Sequence, residues 1–455
     1  MIDKIMIDKI KAKKHIILMV LAPVALVGFL FAQNGNSTKS TPPVTQSGTI
    51  PAQPFPGQRV RAIPAVPAIP AVLKSKFICP KTPQFSVLSS LDPSWSMNNP
   101  VPVIDGIAYY YGIEVMLKSK SGALFVAGYK TTASSYHIMH TSTDNGVTWK
   151  PVELPIDKLA YWNIVVSIVE DKNGVIYAGG TSLWKSADGG NTWEILPMPY
   201  PDTYYGGFRP INEMFITQDN SLIASFPGVA FGIDGMFFGL QPGGYMPAKA
   251  YKSTNGGNSW NELFSHNYLI TSIVEAGDGA LVFRDYVGSN VDSVYRYSGG
   301  VITKTFTNPV ALSEPNIGLL KATDGALYLT AVDTAFNPDT MDYEQPGFAL
   351  LAAYKSVDNG MTWTKLGMLP NSWTNQGSII EATDGSMYAS SFSLCDRKDS
   401  VYKSTDKGVT WSTLATAPNF KSTPRAGYYF KIFSILEVSG KVLIVGNAPV
   451  IFSTK

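Results

Sequence analysis

The segment STDNGVTW, from Ser142 to Trp149, is the first of five closely similar copies in the chain. The other four read SADGGNTW (186–193), STNGGNSW (253–260), SVDNGMTW (356–363) and STDKGVTW (404–411). We call these five segments the boxes. A repeat of this kind is typical of a fold built from similar modules, so each box is expected to belong to one module. Each box combines an acid or its amide with hydroxyl groups, a composition that would also suit a catalytic site.

The third position of each box favours a structural role over a catalytic one. An aspartate or asparagine in a tight turn accepts hydrogen bonds from nearby backbone amides, and the glycine permits a positive φ. The tryptophan is large enough to pack between neighbouring modules. Asn255 can still cap a turn, but it lacks the charge that a general base needs. We therefore predict a structural role for the third residue of every box, namely Asp144, Asp188, Asn255, Asp358 and Asp406.

A second repeat indicates the number of modules. It reads strand, tight turn, strand, and most copies carry an Asp-Gly, Asn-Gly or Ser-Gly pair, which is a hairpin signal. Its seven copies are 118–128, 170–180, 217–226, 275–283, 321–331, 381–390 and 437–446. A third strand, the box and a fourth strand follow the hairpin in a complete unit. Seven such units predict an all-β chain folded as a seven-bladed β-propeller of four-stranded blades.

Two units depart from the pattern. The fourth, SVYRYSGGVITKTF (293–306), has a Gly-Gly turn in place of its box. The seventh ends where its box should begin, so it has no fourth strand of its own. The segment PSWSMNNPVP (93–102) resembles a fourth strand with no unit before it. We predict that this N-terminal strand, near Trp95, pairs with the C-terminal blade and closes the ring, which removes two open sheet edges.

The composition and the N-terminal sequence limit the possible partners and cellular location of the protein. Charged residues make up 15% of the chain and its formal net charge is +2, with no basic run beyond the N-terminus, which argues against nucleic-acid binding. Basic residues precede an apolar run at 16–32, a pattern typical of export. We therefore predict a signal peptide or N-terminal membrane anchor at 1–32, a linker rich in Pro, Ser, Thr and Ala at 33–84, and the propeller at 85–455. The protein is expected to be secreted, or membrane-anchored and facing outside, and to be a monomer.

Few residues suit a metal or a cofactor. His137 and His140 lie three apart in a predicted strand and so face opposite sides, and no metal ligand set is recognised. We expect no cofactor. The acids of the insertion 331–350 could bind calcium, although a solvated acidic loop is the preferred interpretation. Cys79 and Cys395 could form a disulfide in an exported protein, and the alternative of two free thiols stays open.

The boxes resemble the Asp-box, or BNR, repeat of the sialidase-like superfamily. The resemblance covers residues 85–455 and implies a β-propeller whose boxes lie far from the active or binding face. It implies fold much more than function. The nearest string to the sialidase Arg-Ile-Pro motif is FRPI (208–211), with its last two residues exchanged, and no arginine triad is recognisable. Xyloglucan-active members pair two propellers and use two aspartates, and no such pair can be matched here.

The face opposite the boxes is the predicted binding face. Loops from the second to the third strand, and from the fourth strand to the next blade, meet there, and we call it the loop face. Aromatic residues precede the first strand in most units, and flat rings around a funnel suit stacking against sugars or holding a peptide. The alternative is that these rings pack between blades. The candidate ligand-binding residues are Tyr110, Tyr161, Trp162, Tyr205, Arg209, Tyr268, Trp373, Arg425 and Tyr429.

These patterns predict an exported propeller that binds extracellular glycan or protein without catalysis. One alternative is a glycoside hydrolase, sialidase-like or xyloglucanase-like, with its site on the loop face. A second is an assembly or adhesion scaffold. The membrane would be a partner only through the N-terminal segment if that segment is not cleaved.

Overall fold

The computed structural model describes most of the region that follows the predicted linker. The described residues are 82–91, 103–104, 107–108, 111–130, 139–155, 164–199, 211–227, 229–230, 245–286, 293–307, 318–332, 351–370, 372–373, 378–393, 398–418 and 431–454. The chain divides into two compact units, Met1–Lys76 and Phe77–Lys455, and every described residue belongs to the second. The apolar run 16–32, Cys79, Trp95 and Cys395 lie outside the described residues. In the part that is described, no helix is long and apolar enough to span a membrane.

All regular elements among the described residues are β-strands, and seven antiparallel sheets form the blades. The first strands in the chain are β1 (Ser86–Ser90) and the short hairpin β2 (Val103–Ile104) and β3 (Ile107–Ala108). Blade 1 contains β4 (Tyr111–Lys118), β5 (Leu124–Lys130), β6 (Met139–Ser142) and β7 (Lys150–Pro151). Blade 2 contains β8 (Val165–Glu170), β9 (Ile176–Gly180), β10 (Leu183–Ser186) and β11 (Glu194–Leu196).

Blades 3 and 4 meet at the site discussed below. Blade 3 contains β12 (Glu213–Ile216), β13 (Leu222–Phe226), β16 (Ala248–Ser253) and β17 (Asn261–His266), with the extra pair β14 (Val229–Ala230) and β15 (Tyr245–Met246) between its second and third strands. Blade 4 contains β18 (Leu269–Glu275), β19 (Leu281–Tyr286), β20 (Ser293–Ser298) and β21 (Val301–Thr307). The turn between β20 and β21 is Gly299-Gly300, so the prediction of a fourth blade without a box is confirmed.

The last three blades complete the ring. Blade 5 contains β22 (Gly318–Lys321), β23 (Leu327–Val332), β24 (Leu351–Ser356) and β25 (Thr364–Met368). Blade 6 contains β27 (Ile379–Glu381), β28 (Met387–Ser393), β29 (Lys398–Ser404) and β30 (Ser412–Thr416), and the short β26 (Ser372–Trp373) also pairs with β28. Blade 7 contains β31 (Ile432–Val438), β32 (Lys441–Gly446) and β33 (Ala448–Ser453), with β1 as its fourth strand.

The first strands of successive blades contact one another in sequence, and β31 of blade 7 contacts β4 of blade 1. They therefore form a closed inner ring around a central channel. Blade 7 is completed by β1, with Ser86 opposite Ser453 and Ser90 opposite Val450. The prediction that an N-terminal strand closes the propeller is confirmed, and the strand lies at Ser86–Ser90, ahead of the segment around Trp95 that was expected to supply it.

The core of the propeller is divided among the interfaces between blades. Seven apolar clusters are present among the described residues, and each one joins neighbouring blades. At the interface of blades 1 and 2, for example, Trp184 is fully buried beside Phe125 and Met139. Alternate residues of a strand point to opposite faces of the sheet, so each blade offers one apolar face to each neighbour. Burial between blades therefore holds the ring together.

Candidate functional site

Each box forms a turn that is closed by its own side chains. In the first box the Ser142 hydroxyl donates to Asp144 Oδ1 at 2.7 Å and accepts the Gly146 N–H at 2.9 Å. Asp144 also accepts the N–H and the hydroxyl of Thr148. These hydrogen bonds lower the pKa of Asp144 to about 2. A carboxylate with such partners is held ionised and engaged by its own turn, so it is a poor general base.

The backbone of the box explains the glycine and the residue before it. Both residues have positive φ in every box, and the Gly299-Gly300 turn of blade 4 has the same conformation, with φ of 58° and 82°. Lys407, at φ 58°, takes the first of these positions in the fifth box. The second position has φ of 81° to 94°, beyond the left-handed helical values near 60° that Asn and Lys occupy at the first, so it favours glycine. The turn can therefore be made with or without the aspartate.

The tryptophan that ends each box lies between its own blade and the preceding one. The Trp149 indole N–H donates to the Gly146 carbonyl and to the Ser89 hydroxyl of β1, both at 2.9 Å. Trp193 meets Phe125 of the preceding blade edge to face, with ring centroids 6.5 Å apart. Most of these indoles are half-buried. The boxes thus connect neighbouring blades at the outer rim.

Replacing Asp188 by alanine is expected to destabilise blade 2 more than replacing it by asparagine. Alanine removes the acceptor of the Thr192 N–H, whereas Asn255 shows that an amide accepts the equivalent Ser259 N–H at 2.9 Å. Hydrogen bonds lower the pKa of Asp188 to about 2. Its carboxylate therefore stabilises the fold fully above the unfolded pKa of about 4 and loses that effect as the pH falls towards 2.

Thermal unfolding at pH 7 and at pH 3 measures this effect. D188A should lower the Tm at pH 7 more than D188N does. The difference in Tm between wild type and D188A should shrink at pH 3. Equal Tm values for D188A and D188N at pH 7 would contradict a turn-capping role.

Near the channel on the box face, hydrogen bonds join the β-hairpin of one blade to that of the next. The Lys120 N–H donates to the Glu170 carboxylate of the next blade at 2.7 Å, and the Thr323 N–H donates to Glu381 at 2.6 Å. Glu381 also pairs with Lys407 of the fifth box. The carboxylates at the ends of these first strands are therefore used in joining blades.

The structure describes little of the predicted binding set. Tyr268 is fully described, and only the backbone of Trp373 is described, in β26. The other seven candidates lie outside the described residues, namely Tyr110, Tyr161, Trp162, Tyr205, Arg209, Arg425 and Tyr429. The acids of the insertion 331–350 also lie outside them. Among the residues that are described, no group of three His, Cys, Asp or Glu side chains could hold a metal ion.

Tyr268 lies at the loop face between blades 3 and 4. It belongs to the short connection from β17 to β18, and its side chain is half-buried. The His266 ring lies edge-on to it, with centroids 5.8 Å apart, and His266 Nε2 lies 3.2 Å from Asp285 Oδ2. Asp285 is buried and also accepts the Ser293 N–H at 2.7 Å. The buried carboxylate fixes the imidazole, and the imidazole supports the Tyr268 ring.

The inner ring carries β-bulges near the loop face. The pairing register shifts in the first strands of blades 1, 2, 4 and 7, leaving an extra residue in each strand. The extra residues are Glu114, Val166, Thr271 and Phe433. A bulge re-aims a side chain and is frequent beside functional sites. Because these four positions correspond in the innermost strands, they surround the same level of the channel.

Glu213, the first residue of β12, supplies a buried carboxyl at this end of the channel. Its Oε1 accepts the Ile273 N–H of blade 4 at 3.2 Å. Its Oε2 is shielded from solvent and has no hydrogen-bond partner among the described residues. Burial raises the pKa of Glu213 to about 8, against the opposing effects of the Ile273 N–H and the Arg284 charge. Arg284 is itself buried and its Nε donates to the Thr271 hydroxyl at 2.6 Å.

Sequence reasoning missed Glu114 and Glu213 as candidate site residues. Burial raises the pKa of Glu114 to about 7. Each acid stands alone in an apolar innermost strand, Glu114 in YGIEVMLK and Glu213 in EMFI. Charged residues are rarely buried without a specific role, so a single acid in an apolar innermost strand is unusual. This signal could have identified Glu114 and Glu213.

Comparisons with known proteins do not establish a family. No family model matches the sequence. A xyloglucanase from Paenibacillus sp is 26% identical over 254 residues, which cover 50% of this chain and 23% of that protein. The chain thus matches less than a quarter of the length of this relative.

The solved structures that this chain is similar to are distant in sequence. A structure described as YCF48 bound to D1 peptide has 15% identity and a TM-score of 0.46, and the match covers 78% of this chain and 98% of that one. The GH74 enzyme of Niastella koreensis has 15% identity and a TM-score of 0.39, with 73% and 62% covered. The blade count rests on the strand pairing described above. The chain is a seven-bladed β-propeller. Its membership of the Asp-box family stays a prediction.

Proposed function

We propose that this protein is an exported propeller, tethered to the surface or secreted, that binds extracellular glycan on its loop face without cleaving it. One observation carries the proposal: at the loop-face end of the channel, Glu213 Oε2 is buried beside Arg284 and has no hydrogen-bond partner in the part of the chain that the structure describes. Unpaired buried polar atoms cost free energy, and a bound polar ligand can offset that cost. On the box face, by contrast, the described carboxylates are used in turns and between blades.

Two further observations favour glycan over a protein partner. Tyr268 is half-buried in the connection that leads into β18, the strand that carries Thr271, and a sugar combines an apolar ring face with hydroxyl groups. The relative that matches half of this chain is named a xyloglucanase. A protein partner, which would make the propeller an assembly or adhesion scaffold, is an outcome of the test below.

A glycoside hydrolase is the second candidate function. Glu114 and Glu213 both occupy innermost strands, and burial raises their pKa values to about 7 and about 8. A general acid works best when its pKa is near the working pH. Such raised values cluster at catalytic sites, although buried structural acids show them too. Release of reducing ends from the oligosaccharides tested below would favour this candidate.

Tyr268→Ala is expected to weaken binding of oligosaccharides at least about fivefold, because stacking of an aromatic ring contributes ~1 kcal/mol or more. Tyr268→Phe keeps the ring and should bind within about threefold of wild type. The control V409A changes an exposed side chain on the box face and should leave binding unchanged. Isothermal titration calorimetry of each full-length variant and of wild type, with xyloglucan-derived and other neutral oligosaccharides, measures the dissociation constants. No binding to any oligosaccharide by folded wild type, or capture of a protein partner alone, would overturn the glycan proposal.

A further inference from the structure

Three polar side chains from two blades meet where blades 3 and 4 face the channel. Glu213 comes from the first strand of blade 3, and Thr271 and Arg284 come from blade 4. Thr271 is the extra residue of a bulge, and its hydroxyl accepts the Arg284 Nε–H at 2.6 Å. Glu213 and Thr271 both keep part of their surface exposed. We call these three residues the channel triad.

The charges of the channel triad restrict the ligand. A cationic ligand at Glu213 would lie beside the Arg284 guanidinium, which is close enough to lower the pKa of that carboxyl. Burying a charge without a partner costs several times more than burying a hydroxyl group that is hydrogen-bonded. A neutral hydroxyl can donate and accept, so it can complete the hydrogen bonding of the Glu213 carboxyl whether that carboxyl is protonated or ionised.

We propose that the channel triad is a subsite for a neutral sugar ring, one of whose hydroxyl groups completes the hydrogen bonding of Glu213 Oε2. This inference rests on the proposed function and specifies its substrate class. Because burial raises the pKa of Glu213 to about 8, its carboxyl is mostly protonated at neutral pH and offers both a donor and an acceptor.

Two substitutions of Glu213 separate ligand contact from a structural role. E213Q keeps an acceptor for the Ile273 N–H and a donor at the second position, so it should bind neutral oligosaccharides within about threefold of wild type. E213L removes both and should weaken binding at least about tenfold, which corresponds to ~1.4 kcal/mol. T271V is the matched second variant, since it removes one hydroxyl at nearly constant volume, and it should weaken binding at least about threefold.

Titration calorimetry with a xyloglucan-derived oligosaccharide and with sialyllactose, on full chains whose thermal unfolding is also recorded, tests the subsite. We expect wild type to bind the neutral probe more tightly than sialyllactose, and we expect E213L to lose binding of the neutral probe. If wild type binds the neutral probe and folded E213L and T271V bind it equally well, the subsite is wrong and the proposed function stands. Tighter binding of sialyllactose than of the neutral probe would overturn the neutral-sugar assignment. If wild type binds neither probe nor any other oligosaccharide, both the subsite and the proposed function are wrong.

Discussion

A chain that lacks residues 1–91 is expected to lose the cooperative unfolding of the propeller. This deletion removes β1, so the outer edge of β33 is left unpaired and blade 7 keeps three strands. It also removes Phe85, which is buried against blade 7, and Ser89, whose hydroxyl donates to the Gly146 carbonyl of blade 1 at 2.7 Å. Each lost ladder hydrogen bond contributes ~1 kcal/mol, and burial of Phe85 contributes ~1.5–3 kcal/mol. Together these losses are comparable with the ~5–15 kcal/mol that stabilises a typical domain.

The matched control lacks only residues 1–76 and keeps the whole second compact unit. Urea unfolding followed by tryptophan fluorescence, with size-exclusion chromatography of both proteins, distinguishes the two. The shorter deletion should unfold in one sharp transition, as the full chain does. The longer deletion should aggregate or unfold over a broad range. A sharp transition at the same urea midpoint in both would show that β1 does not close the ring.

Trp184→Ala is expected to lower the free energy of unfolding by ~3–5 kcal/mol, the range for removing a large buried aromatic side chain. Trp184 is fully buried between blades 1 and 2. Its indole N–H also donates to the Pro155 carbonyl at 2.9 Å, in the segment that leaves blade 1. Alanine therefore leaves both a cavity and an unpaired carbonyl at that interface.

Trp193→Ala provides the comparison within the same interface. Trp193 ends the second box, is half-buried, and donates to the Gly190 carbonyl of its own turn. Its removal should cost clearly less than the removal of Trp184, because part of its surface is already in contact with water. Chemical denaturation of both variants gives the two free energies. A larger loss for Trp193 would mean that the box tryptophans, and not the blade cores, hold neighbouring blades together.

The fold could be predicted from the sequence because each blade repeats the same local signals. The Asp-Gly and Asn-Gly hairpins and the boxes mark strand ends, and counting them gives seven blades even where Gly299-Gly300 replaces a box. The strand that closes the ring was predicted near Trp95, but it lies earlier in the chain, at Ser86–Ser90. Its sequence, SVLSS, is short and rich in serine, and three of its residues are only half-buried. Such a strand is selected by pairing with β33, a long-range contact that no local pattern reveals.

The candidate site was harder to predict than the fold. Aromatic residues before the first strands were chosen by composition, and of these only Tyr268 is fully described. Glu213, Thr271 and Arg284 were missed as a group because they come from different blades and meet only after the ring closes. Thr271 depends in addition on a bulge, and a bulge has no fixed sequence signature in these strands. A lone acid in an apolar strand was the one signal present.

Ring closure by β1 also has a consequence for biosynthesis. The ribosome makes β1 before any other strand of the propeller, and its partner β33 is made last. At ~5–20 residues per second, β1 waits for tens of seconds without the strand that it will pair with. During that time Phe85 and Leu88 have no completed blade 7 to cover them. Three of the five residues of SVLSS are serines, and we expect their polarity to limit association of β1 with other chains until β33 has been made.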